Sequence, residues 1–194
     1  MTGPIKQDII LAGVGGQGII SIAFVIASAA LKEGWNVKQA EVHGMAQRGG
    51  GVQSHLRLSR EHIWSDLIPR GAADLILSVE PLEALRYVDF LAPQGRIVTS
   101  STPFVNILDY PDKETLLTQI RSIGGSVIVD SEKLAREAGT VRAQNTVVLG
   151  AASGSLVVAE ESLKTFVRAL FERRGEKVLE SNLRAFDLGK QAAL

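Results

Sequence analysis

The apolar residues at the start of this chain come as a block rather than as an alternation. Residues 8–13, Asp-Ile-Ile-Leu-Ala-Gly, form a short apolar run that ends in glycine, the pattern of a strand covered on both faces of a parallel sheet. Residues 17–32 are small and apolar all round, with Gly34 placed to stop them, which predicts a buried helix. Residues 35–42 predict a second strand, so the chain opens with a βαβ unit. Residues 52–58 alternate apolar and polar and, with Ile63 and Trp64, predict a β-hairpin beyond the parallel core. The α/β rhythm resumes with a strand over 74–79, a helix over 81–91, a strand over 95–100, a helix over 113–123 and a strand over 126–130. From residue 131 onward the pattern is mostly helical, over 132–138, 145–158, 161–173 and 176–193. The last helix places Val178, Leu179, Leu183 and Phe186 mainly on one side, which predicts core contact rather than a partner groove.

No linker or internal repeat interrupts this pattern. The expected fold is a single α/β domain over residues 1–194, a Rossmann-like three-layer sandwich with a mostly parallel sheet, a β-hairpin insertion and a helical C-terminal third. Periodicity does not order the strands within the sheet.

Composition narrows the chemistry. The 194 residues contain no cysteine and three histidines, so this chain has no thiolate for an iron–sulfur cluster, a disulfide or a cysteine-based zinc site. Lys+Arg and Asp+Glu are 21 each, and no net charge steers the protein toward nucleic acid or an anionic membrane. The most apolar stretch, residues 19–31, is 13 residues long, short of the roughly 20 needed to span a bilayer. The first residues lack a basic start followed by an apolar run, so a cytoplasmic protein is expected.

Two glycine-rich segments carry candidate chemistry. Gly13-Val-Gly-Gly-Gln-Gly18 joins a predicted strand to a predicted helix and matches G-x-G-x-x-G. In that motif Gly13 permits a tight turn, Gly15 lets a ligand approach the backbone, and Gly18 permits close helix–strand packing. Gly16 and Gln17 complete the turn, and the N–H groups at the helix start attract phosphate or carboxylate. A dinucleotide is one such ligand, with Glu41 as a candidate ribose partner, although Glu41 lies 28 positions after Gly13, farther than the motif expects. The turn can equally serve packing alone.

The second segment is His43-Gly-Met-Ala-Gln-Arg-Gly-Gly-Gly-Val-Gln-Ser-His-Leu-Arg57. Here Gly49, Gly50 and Gly51 free the backbone, Gln47 adds a polar side chain, and Arg48 supplies a planar cation suited to phosphate or carboxylate. His43 has a side chain that changes charge near neutral pH. The segment follows a strand's C-terminal end, where open α/β sheets bind ligands or partners. His55 and Arg57 alternate with Leu56 and Leu58 and read as the polar face of a hairpin. Glu80 before Pro81 reads as a helix start with an acid at the positive end of the dipole, and Asn145 as a helix cap. On the residues alone an NAD(P)-dependent oxidoreductase and a non-enzymatic nucleotide-binding module both remain open.

Taken together, residues 13–18, 43–50 and Val52-Gln-Ser-His55 resemble the gamma-type domain of 2-oxoacid:ferredoxin oxidoreductases, and within that family the small subunit of the indolepyruvate branch. Glu80-Pro-Leu-Glu-Ala-Leu-Arg86 and Asn145-Thr-Val-Val-Leu-Gly150 are similar too, so the likeness runs from about Asp8 to Gly150. The resemblance implies a subunit inactive alone. A large catalytic alpha subunit would carry thiamine diphosphate, magnesium and iron–sulfur clusters, pass electrons to ferredoxin and hand the acyl group to coenzyme A. It further implies that Gly13, Gly15, Gly16, Gln17, Gly18, His43, Gln47, Arg48, Gly49 and Gly50 face coenzyme A or that partner, with no catalytic residue and no metal ligand on this chain.

Overall fold

The structure, a computed structural model, describes residues 5–43 and 49–194. Strand β1 (Lys6–Val14) lies inside the sheet, and eight of its nine residues are buried, as its unbroken apolar run requires. Successive side chains point to opposite faces: Ile9 and Leu11 enter the larger apolar core and Ile10 the smaller one. Helix α1 (Ile19–Lys32) leads to strand β2 (Asn36–His43). Strands β3 (Gly51–Ser59), β4 (Ala73–Ser78), β5 (Leu91–Ser100) and β6 (Val127–Val129) complete a sheet of order β2-β3-β1-β4-β5-β6. The pairs β1–β4, β4–β5 and β5–β6 are parallel, whereas β3 runs antiparallel to both β1 and β2.

Helices cover both faces. Helix α2 (Pro81–Arg86) and helix α3 (Lys113–Arg121) close the smaller core. Helix α1 is joined on the larger core by α4 (Ser131–Glu137), α5 (Gln144–Ala152), α6 (Glu160–Phe171) and α7 (Glu176–Ala192). This is the expected three-layer α/β architecture with a helical C-terminal third. The C-terminal helices are tied to the sheet by Gln7, whose amide donates to Ser155 O (2.6 Å) and accepts from Val157 N (3.0 Å).

Three local expectations change. The hairpin lies beyond the parallel-paired strands, as expected, but the partner of β3 in it is β2, so that β3 is inserted between β2 and β1. Ile63 and Trp64 form no strand; instead the segment they begin folds over the sheet. His55 and Arg57 are consequently no solvated face. Ile68 N donates to His55 Nδ1 (3.0 Å), and Phe90 meets the buried ring edge-on. Burial holds the His55 imidazole below its ordinary pKa, with Asp66 opposing that shift and Arg57 adding to it. Arg57 sits directly opposite Asp8 across the β1–β3 ladder and grips both of its carboxylate oxygens, at 2.8 and 3.0 Å. On α7, Phe186 is fully buried and Leu179 and Leu183 pack against the core, but Val178 is 36% exposed, because it faces a surface hollow.

Candidate functional site

The sheet's parallel half changes winding direction between β1 and β4. Helix α1 leaves β1 toward one face, and α2 leaves β4 toward the other. A crevice at the carboxyl ends of the strands follows from that reversal, and both glycine segments meet there.

In the first segment, left-handed backbone is required at Gly16 (φ 102°) and Gly18 (φ 83°), where only glycine is unstrained. Gly13 stays within the strand. It is small for a packing reason, since a Cβ there would lie 2.7 Å from Val79 Cγ2 and 2.8 Å from Ile19 Cδ1. The turn is closed from within, as Val14 N donates to Gln17 Oε1 (2.7 Å) and Gln17 N to Val14 O (3.0 Å). Gly15 N donates to Gly50 O at 2.8 Å, so the two glycine segments are bonded to each other. Helix α1 begins at Gly18 with no side-chain cap and no acid in its first turn. Its partial positive charge faces a hollow of about 480 Å³ lined by Val14, Gly15, Gly16, Ile20 and Val52.

The second segment is held from three sides. Gly49 (φ 79°) accepts from Asn106 Nδ2 at 2.6 Å, Gly50 accepts from Gly15, and Gly51 pairs with Val14 in the ladder. A Cβ on Gly51 would meet Glu83 Oε2 at 2.6 Å. His43 closes the hairpin opposite Val52. Gln47 and Arg48 lie outside the described residues. Glu41 is engaged by Gln39 Nε2 at 2.8 Å, an exposed contact within β2.

Several further residues meet at this end of the sheet. Glu80 is buried and caps α2 by accepting from Glu83 N (2.8 Å), as its place before Pro81 suggested. It also accepts from Phe104 N (3.3 Å) and from the Tyr110 hydroxyl. One carboxylate thus pins the loop between β5 and α3 beside Gly49. Burial, then the hydrogen bond to Glu80, pushes the Tyr110 phenol well above its usual pKa. Glu83 is 2% exposed. Burial raises its pKa, Arg86 at 3.0 Å works against that rise, and Glu80 adds to it.

Asn145 is not the cap it resembled, because α5 begins at Gln144 after Ala143. Its amide instead packs on Gly18, whose Cβ would lie 2.6 Å from Nδ2. With Gln17, Thr102, Phe104 and Arg142 it lines a second cleft of about 590 Å³. The arrangement offers N–H groups and the Arg142 cation to an anion, with Glu132 on the same wall of the second cleft. Among the described residues no group of three acidic, histidine or cysteine side chains is placed to hold a metal, and no helix is long and apolar enough to cross a membrane.

The profile of one protein family, described as pyruvate ferredoxin/flavodoxin oxidoreductase, matches residues 8–192. The chain belongs to this family. The match includes the helical C-terminal third, beyond the likeness ending near Gly150. Among oxidoreductase subunits, "Indolepyruvate oxidoreductase subunit IorB" of Thermococcus kodakarensis is 37% identical over 198 residues, covering 97% of this chain and 96% of that protein. The subunit of the same name from Pyrococcus horikoshii is also 37% identical, with the same coverage. A solved 2-oxoglutarate:ferredoxin oxidoreductase from Magnetococcus marinus, with 2-oxoglutarate, coenzyme A and succinyl-CoA bound, superposes with a TM-score of 0.77 at 28% identity. That superposition covers 98% of this chain and 31% of the Magnetococcus chain, so the matched part of that protein lies within a much longer polypeptide.

Proposed function

We propose that this chain is the small, cofactor-free subunit of a 2-oxoacid:ferredoxin oxidoreductase, with indolepyruvate or another arylpyruvate as the 2-oxoacid. In this reading a larger alpha subunit holds thiamine diphosphate, magnesium and iron–sulfur clusters, decarboxylates the 2-oxoacid and passes electrons to ferredoxin. Coenzyme A takes the acyl group. The observation that carries the reading is likeness over nearly the whole chain to two subunits of indolepyruvate oxidoreductases, combined with a sequence that lacks cysteine. A chain without thiolates leaves cluster ligation to its partner. The reading places the protein in the cytoplasm, where soluble ferredoxin operates.

The chain's own contribution is to complete the cleft. Gly13, Gly15, Gly16, Gln17 and Gly18 shape the uncapped start of α1. In this reading His43, Gln47, Arg48, Gly49 and Gly50 act with that turn, a pairing supported by the bond from Gly15 to Gly50. The ligand is the phosphate portion of coenzyme A or the acidic edge of the partner. Coenzyme A in the Magnetococcus relative supports the first of these.

Arg48→Ala in the reconstituted complex tests this role. A charge-assisted hydrogen bond contributes about 1.5–3 kcal/mol, so the coenzyme A concentration for half-maximal rate should rise about tenfold or more, or the two subunits should fail to co-elute. Wild-type kinetics with wild-type assembly would remove Arg48 from the site.

A further inference from the structure

Away from the crevice, the turn after α4, the end of α6 and the start of α7 enclose a hollow of about 460 Å³. Arg142, Arg174 and Lys177 line it, and no acidic side chain does. None of these cations forms an ion pair among the described residues, although the chain's other charges make several. In a protein of zero formal net charge, three unpaired cations around one concavity make a local excess of positive potential. Arg174 is steadied by the ring of Phe171, 5.4 Å from its guanidinium. The wall of the hollow carries a second, independent feature. Ser181 is only 8% exposed and lines the hollow, yet its hydroxyl has no hydrogen-bond partner among the described residues. The neighbouring Asn182 is, by contrast, bonded to Thr146 Oγ1 (2.8 Å) and Val178 O (2.8 Å). The hydroxyl oxygen is still reachable from the hollow and has its donor free for a molecule held there.

We propose that this hollow binds a small ligand carrying two or more phosphate groups. Arg174 and Lys177 hold the charge, the Arg174 fork takes two oxygens of one phosphate, and Ser181 donates from the wall. The concavity favours a small molecule over a protein segment, since its size matches an ordinary ligand pocket. Arg142 also borders the cleft beside the glycine turn, so the test uses the two cations that do not.

The full-length chain is titrated calorimetrically with inorganic pyrophosphate and, separately, with ADP, at low and at moderate salt. Binding is expected, weakening as salt rises. The double variant Arg174→Gln/Lys177→Gln should weaken it at least about tenfold and Ser181→Ala about threefold, consistent with hydrogen-bond magnitudes. Both cations are exposed, so folding should be unaffected; the single variant Lys177→Gln gives an independent check. Equal affinities for the two probes assign the site to polyphosphate, and tighter ADP binding assigns it to a nucleotide. Failure of both probes to bind, or wild-type affinity in the double variant, overturns the proposal.

Discussion

Gly189→Ala should destabilise this protein, against the ordinary preference of helices. In an exposed helix interior, alanine is favoured over glycine by about 1 kcal/mol. Gly189 lies inside α7, where a Cβ would come 2.0 Å from the carbonyl oxygen of Val147. The contact is reciprocal, since a Cβ on Gly150 of α5 would come 2.0 Å from the carbonyl oxygen of Phe186. Both obstacles are backbone, so no rotamer change relieves them, and α5 and α7 must move apart. Because these helices cover the larger core through Val147, Ala151, Ala185 and Phe186, separation opens voids along the whole contact. Overpacking costs typically 1–3 kcal/mol and occasionally more, which outweighs the propensity gain. We expect a net loss of about 2 kcal/mol for Gly189→Ala and a larger one for Gly189→Val, with the alanine variant melting roughly 4–8 °C lower. Urea unfolding with an unchanged slope would locate the effect in the folded state. An alanine variant as stable as the parent would show that the helices do not approach this closely.

The second large effect is expected at Arg57→Met. Asp8 is 1% exposed and depends on the two-pronged grip of Arg57, with Lys6 at 3.1 Å as its other, largely exposed partner. Removing one partner of a buried pair strands the other charge, at a cost of about 3–5 kcal/mol. Lys6 offsets part of this, so about 3 kcal/mol is expected. Arg57 also donates to the carbonyls of Ser65 and Leu67, both at 3.1 Å, so its loss should loosen the segment that covers His55. The double variant Asp8→Leu/Arg57→Met removes the stranded charge and should recover most of the stability. Chemical denaturation of the single and double variants measures both; a single variant within about 1 kcal/mol of the parent would contradict the ion-pair account.

Much of the fold was legible because it rests on local pattern. The apolar block of β1, the glycine turn into α1 and the apolar face of the last helix all express periodicity and backbone freedom. The placement of β3 was not legible. Its alternation of Leu56 and Leu58 with His55 and Arg57 describes a strand with one polar face, and nothing local says that residues 63–68 fold back to cover that face. Nor does alternation reveal that the strand enters between β1 and β2. The crevice was half visible. Glycine spacing pointed to two segments, and their bond from Gly15 to Gly50 joins them. Glu80, Asn106 and Tyr110 went unread as a group because long-range contacts assemble them; Glu80 read correctly as a cap but gave no sign of its second task. Gly150 stood inside a recognisable segment, but its reason, a carbonyl of α7 pressed against it, lies 36 residues away at Phe186.

The central claim is that this polypeptide completes a catalytic cleft whose reactive groups belong to another chain. The direct test is ferredoxin reduction by the purified protein supplied with an arylpyruvate, thiamine diphosphate, magnesium and coenzyme A, first by itself and then with the larger subunit. The account predicts no reduction until the larger subunit is added. Sustained reduction by the 194-residue chain unaided would contradict it.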